Sequence, residues 1–136
     1  MTSDKNTRLA GSCHCGQVVF TVPGDTDFSA GRRCDCSLCR RRWAVMASVP
    51  KDELKVVSGE KNLGCYTWNT GVARHYFCRI CGIYTHHLRR SDPNEYGINI
   101  TCFDHVDMKA HDGAAINDGV NHPSDAGKEK SGADPG

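Results

Sequence analysis

The sequence predicts an all-β domain of small sheets, and three observations carry that expectation. Short runs rich in aromatic and β-branched residues recur along the chain, separated by Gly, Asn, Pro and Asp. No long stretch shows the 3.6-residue apolar period of a helix. Nine cysteines in 136 residues, most of them clustered, offer the metal chemistry that thin sheets with 38% hydrophobic content need as support.

The elements follow in order. Residues 1–10 are polar and read as a flexible arm, and residues 11–125 as one domain with one core. QVVFTV (17–22) alternates and reads as a strand, ended by the PGD turn. WAVMASV (43–49) is a second strand, stopped by Pro50. LKVVSGE supplies a short third. LGCYTWN, ARHYFC, IYTHHL and EYGINITCF supply four more. From about Met108 the chain turns to Gly, Asp and Asn, and residues 126–136 read as a disordered tail.

Composition excludes several classes. A net charge of +1 gives no global basic field for nucleic acid. No apolar run approaches the roughly 18 residues of a membrane span. The N-terminus MTSDKNTRLAGSCHCG has neither an apolar h-region nor a cleavage site, so the expected compartment is the cytoplasm. Thiols stay reduced there, and clustered cysteines are metal ligands or catalytic groups.

Seven of the cysteines lie in clusters. CHCG (13–16) and CRICG (78–82) both end in glycine, which accepts the φ > 0 that a metal knuckle requires after its second thiolate. Pairing these two arms gives a closed four-thiolate zinc site of Cys13, Cys15, Cys78 and Cys81. In a straight strand residues i and i+2 lie roughly 6.6 Å apart. Thiolates around one zinc lie about 3.8 Å apart, from a Zn–S length of about 2.3 Å. The C-x-C segment must therefore bend. The rival pairing joins Cys36 and Cys39 with Cys78 and Cys81 as a zinc ribbon and strands Cys13, Cys15 and Cys34.

Cys34, Cys36 and Cys39 remain. Three protein ligands and a vacancy is the pattern of catalytic zinc, and a thiol substrate suits the vacancy. The alternative is a second structural zinc, completed by a histidine or by Cys65 or Cys102; residue types alone support both equally. A redox dithiol at Cys36–Cys39 lacks the βαβ context. Beside the cluster stand Arg32, Arg33, Arg40, Arg41 and Arg42, opposed only by Asp35. Such a patch suits a carboxylate-bearing substrate, with Arg40, Arg41 and Arg42 as the candidate binding residues; its bland reading is a solvated charged edge. Cys65 and Cys102 fit buried small hydrophobes, and Trp43 and Trp68 fit core or pocket wall. His75, His86 and His87 fit strand-face or ligand-supporting positions, with His75 a candidate proton donor.

GSCHCGQVVFTV, CDCSLCRRR, HYFCRICGIYTHH and DGVNHP together resemble the glutathione-dependent formaldehyde-activating enzyme family, from about Gly11 to about Asp125. The resemblance implies a β-tent of small antiparallel sheets around zinc. It implies a structural zinc on Cys13, Cys15, Cys78 and Cys81, and a second zinc on Cys34, Cys36 and Cys39 beside a glutathione site. The reaction it implies joins glutathione and formaldehyde into S-(hydroxymethyl)glutathione, a carbon–sulfur lyase in reverse. This chain is more compact than the enzyme that names the family. Centromere protein V carries similar cysteine motifs in a more basic setting. A non-catalytic zinc-stabilised binding or scaffold module is the competing function.

Overall fold

The computed structural model describes residues 7–120. The first six residues, the last of the domain expected to run to 125 and the tail expected over 126–136 lie outside them.

The all-β expectation holds, with one short helix added. β1 (Arg8–Ser12), β2 (Val19–Pro23) and β5 (Lys55–Ser58) form a three-stranded antiparallel sheet. The second sheet has seven strands. They are β3 (Arg32–Cys34), β4 (Met46–Pro50), β6 (Leu63–Tyr66), β7 (Arg74–Cys78), β8 (Tyr84–Leu88), β9 (Glu95–Asn99) and β10 (Ala115–Asn117). Their order is β10-β3-β4-β9-β8-β7-β6, antiparallel except for the parallel pair β10–β3. The helix α1 spans Ser37–Arg42. Among the described residues no helix is long and apolar enough to cross a membrane.

The seven strands expected from the sequence all form. β1 was not expected: RLAGS carries one large apolar residue and begins inside the predicted arm. Its strand state comes from its partner, through five registered pairs with β2. Arg8 adds side-chain bonds to the hydroxyl and carbonyl of Thr21 and to the carbonyl of Glu53. Helix α1 was also unexpected. The Cys36 sulfur caps its N-terminus by accepting the Cys39 N–H at 3.4 Å. Three arginines fill its last turn, where positive charge suits the negative end of the helix dipole.

The main core lies between the sheets. Phe20 and Val22 of β2 meet Ala47 and Val49 of β4 and Ile98 of β9, with Val45, Ile100 and Phe103 beside them. Phe20 and Phe103 meet edge to face at 5.4 Å, and Gly11 gives Phe103 its room: a Cβ there would lie 2.9 Å from the ring. β4 is buried on both faces. Ala47 and Val49 point into this core, and Met46 points to the opposite face, against Cys36, Cys39 and Tyr84. A third, small cluster sets Val18 against Cys13 and Cys78.

Two side chains depart from expectation. Trp43 is 45% exposed and holds a left-handed backbone (φ 50°) as the C-cap of α1, so it is neither core nor pocket wall. Cys65 is exposed rather than buried, because β6 is the sheet edge.

Two left-handed glycines separate backbone strain from steric conflict. Gly71 (φ +75°) faces open space, whereas a Cβ on Gly59 (φ +78°) would sit 1.8 Å from the Gln17 carbonyl oxygen. Gly71→Ala is expected to cost about 1–2 kcal/mol, the conformational penalty alone. Gly59→Ala should cost at least ~2 kcal/mol more, since backbone must move. Urea unfolding of the two variants checks this; equal losses would show that the loop at Gln17 yields freely.

Candidate metal centres and the adjoining cavity

The cysteines gather in two groups, each with its Sγ atoms within 4.8 Å of one another: Cys13, Cys15, Cys78 and Cys81, and Cys34, Cys36 and Cys39. The ribbon pairing of Cys36 and Cys39 with Cys78 and Cys81 does not form. In the first group Cys13 Sγ lies 3.6 Å from Cys15 Sγ, which lies 3.7 Å from Cys78 Sγ. These match the edge of about 3.8 Å expected around a tetrahedral zinc. The C-x-C segment bends as that geometry demands, leaving the β1 strand for a turn. Gly16 and Gly82 each take φ +81°, so both knuckles close through the glycine that follows the second cysteine. The turns aim backbone donors at sulfur: Val18 N–H reaches Cys13 Sγ at 3.4 Å, and Ile80 N–H reaches Cys78 Sγ at 3.3 Å. The backbone N–H of Cys15 leads the influences that pull the Cys81 thiol down to about 6. Backbone donors and four sulfurs at tetrahedral spacing make a set that a divalent cation fits.

The second group is built by a strand end and a helix start. Cys34 closes β3, Cys36 caps α1, and Cys39 lies in its first turn. Bonds from the Cys34 and Cys39 thiols, then the Cys39 N–H, pull Cys36 down to about 2, while the same contacts and burial push Cys39 up. Arg42 Nη2 approaches Cys39 Sγ at 3.6 Å. Gly119 lies against the cluster, where a Cβ would come 2.3 Å from Cys34 Sγ. Its N–H donates to Asp35 Oδ1 at 2.7 Å, and Asp35 N–H donates to the Asn117 carbonyl at 3.2 Å. Among the described residues no further His, Cys, Asp or Glu joins this group. Cys65 is exposed, and Cys102 is buried with its thiol on the Tyr84 carbonyl, so neither completes it.

The three thiols open onto a cavity of about 110 Å³, lined also by Arg32, Arg89, Arg90, His75, His87 and Trp68. Strand alternation divides the first arginine pair. Arg32 turns inward, half buried, and donates to Ser48 Oγ at 2.9 Å. Arg33 turns outward, over the Trp43 ring at 4.9 Å. Arg40 and Arg41 are exposed on α1, with Arg41 bonded to the Ser37 carbonyl. Arg42 lies over the Tyr84 ring at 3.7 Å. Arg40, Arg41 and Arg42 do not line the cavity.

Arg89 and Arg90 do, and the sequence reading missed them. The only signal was an RR pair closing a strand beside the SDPN turn. Arg89 donates to Ser48 Oγ at 3.2 Å and pairs with Glu95; Arg90 reaches the Gly119 carbonyl at 3.4 Å. Burial first, then the Arg89 charge, lowers the pKa of Arg32.

Two histidines also line the cavity. His75 and His87 pair across β7 and β8, their rings stacked at 5.2 Å. Burial holds His75 down at about 3, assisted by the Arg42 charge, and holds His87 well below the usual imidazole range. Both are neutral at neutral pH. His86 lies outside the cavity, stacked on Tyr76 at 4.7 Å.

The chain is similar to known proteins. A Halomonas elongata protein named "Putative glutathione-dependent formaldehyde-activating enzyme" is 34% identical over 82 residues, covering 54% of this chain and 51% of that protein. The chain thus spans about half the length of this curated relative. The crystal structure of a Rhodobacter sphaeroides protein, 45% identical, superposes with a TM-score of 0.76 over 80% of this chain and 100% of its own. Residues 8–116 match the model of the glutathione-dependent formaldehyde-activating enzymes. With both cysteine groups inside that span, the chain belongs to the glutathione-dependent formaldehyde-activating enzyme family.

Proposed function

We propose that this chain is a zinc-dependent carbon–sulfur lyase of the S-(hydroxymethyl)glutathione synthase type, joining the glutathione thiol to formaldehyde in the cytoplasm. One observation carries the reading: the four-cysteine group is complete within the protein, whereas the three-cysteine group opens onto a cavity walled by three arginines. Cys13, Cys15, Cys78 and Cys81 would hold a structural zinc. Cys34, Cys36 and Cys39 would hold the second, which supplies Lewis acidity and a lowered thiol pKa.

The chain's own residues bind and orient the substrate. Arg32 and Arg89 converge on one serine hydroxyl with a single carboxylate, Glu95, beside them. Both guanidiniums bring positive charge to the cavity, which Arg90 also lines. A tripeptide with two carboxylates answers that charge, and each guanidinium offers a two-pronged donor face. Trp68, half buried against the cysteines, excludes water beside the reacting sulfur. Arg40 and Arg41 stay outside this set.

Two measurements test the reading. Metal analysis of the intact protein is expected to give two zinc ions per chain. Cys36→Ser should lose one with the β-sheet circular dichroism kept, and Cys78→Ser should lose the fold as well. A single zinc in the parent would leave the open group without its role.

Calorimetry on the zinc-loaded protein should show glutathione binding that Arg32→Ala weakens about 10- to 100-fold, the worth of one charge-assisted hydrogen bond. Arg41→Ala should leave it unchanged. Absent binding, or equal losses in both variants, would favour a zinc-stapled scaffold. Exchange NMR of glutathione with formaldehyde then measures turnover.

A further inference from the structure

The cavity wall holds a second device, and it rests on the reaction just described. Tyr84 is buried, and its hydroxyl lies 2.6 Å from His87 Nδ1. Among the described residues the hydroxyl has no other partner. A buried phenol that only accepted would leave its own O–H unsatisfied, so Tyr84 donates and Nδ1 accepts. The proton of the neutral imidazole then sits on Nε2. Among the described residues that atom has no hydrogen-bond partner, yet it is not among the sealed polar atoms, and His87 lines the cavity. His75 is different: its Nδ1 is sealed and unpartnered, so nothing fixes its tautomer.

The fold builds this pair on purpose-made backbone. Tyr84 and His87 are three residues apart, an odd spacing that would place them on opposite faces of a regular strand. The register between β7 and β8 slips between Tyr76 and Phe77, so Phe77 pairs with Tyr84 while Tyr76 pairs with His86. The slip brings the two side chains together. Across β9, Gly97 pairs with His87, and a Cβ there would lie 2.3 Å from His87 Cε1. The ring therefore fits only because Gly97 carries no side chain.

We propose that His87 donates a hydrogen bond from Nε2 to the carbonyl oxygen of the aldehyde as it becomes an alkoxide, with Tyr84 as the positioning residue that fixes the donor tautomer. In this step the thiol gives its proton to solvent. A carbon–sulfur bond forms, the C=O π pair moves onto oxygen, and the oxygen takes one proton back from solvent. His87 ends as it began. A neutral imidazole suits the role, because it donates without surrendering its proton. The charged and titratable neighbours His75 on β7, Arg42 on α1, and Arg89 and His86 on or beside β8 favour that neutral form, after burial itself.

The test uses the full, zinc-loaded, ¹⁵N-labelled chain. Long-range ¹H–¹⁵N spectra should show His87 protonated at Nε2, and Tyr84→Phe should yield a mixture of tautomers. With glutathione and formaldehyde, His87→Phe should lower kcat about 100- to 1,000-fold, the cost of one oxyanion donor. Its glutathione affinity should hold within about 3-fold, and His87→Gln, whose amide can donate, should recover part of the loss. Tyr84→Phe, which removes only a hydroxyl, should cost about 10-fold in kcat. An Nδ1-protonated His87, or full kcat in His87→Phe with normal binding, overturns the proposal while leaving the reaction intact. A parent protein that neither binds glutathione nor turns over overturns both.

Discussion

Four sulfurs from two short segments, more than sixty residues apart in sequence, must share one small volume, and the rest of the fold is arranged around that constraint. A chain of this size with two thin sheets buries little apolar surface, and its main core is essentially one layer between them. The knuckles link the β1–β2 hairpin of the small sheet to the β7–β8 hairpin of the large one. Phe20 of the first hairpin also meets the His86 ring of the second at 5.8 Å. Val18, fully buried, packs directly on Cys13 and Cys78, so the apolar core and the sulfur cage are continuous there. A metal bound there would tie the two hairpins together and add its binding free energy to folding.

The second sulfur group answers to a different balance. Three thiols, an N-capped helix and half-buried guanidiniums crowd together around a cavity. The arginines that reach it come from strand positions whose alternation points them inward, as Arg32 does and Arg33 does not. Arg32 and Arg89 share one hydroxyl with a single carboxylate nearby, an arrangement that favours an incoming anion over a closed ion-pair network. On α1, Arg42 instead neutralises the cluster from behind and covers the Tyr84 ring.

Much of this was legible in the sequence, for identifiable reasons. The sulfur partition followed from glycines after the second cysteine, and their φ of +81° is the conformation that makes glycine informative. The seven expected strands announced themselves by β-branched and aromatic runs. β1, β3 and β10 did not, because each owes its strand state to a neighbouring strand's hydrogen bonds rather than to its own residues. Helix α1 was hidden for a related reason: a thiol, outside the usual capping residues, supplies its N-cap. The arginines were misplaced because the reading followed proximity in sequence. Arg89 and Arg90 stand some fifty residues from the cluster in sequence, and only the β4–β9–β8 order brings them beside it.

That strand order also ties the two sulfur groups into one argument. The Cys78–Cys81 knuckle is the turn of the β7–β8 hairpin: Gly82 N–H closes on the Cys78 carbonyl at 2.8 Å, and Cys78 N–H takes the Ile83 carbonyl at 3.0 Å. Fixing the turn fixes where pairing starts, and the register shift between Tyr76 and Phe77 then sets the phase of the pairs beyond it. His75 and His87 acquire their places on the cavity wall from that phase. A one-residue slip would send His87 to the other face and bring a different side chain against Gly97, the one position whose bare backbone admits the imidazole. The closed cage thus does more than hold the sheets: through the hairpin it starts, it determines which nitrogen faces the open one.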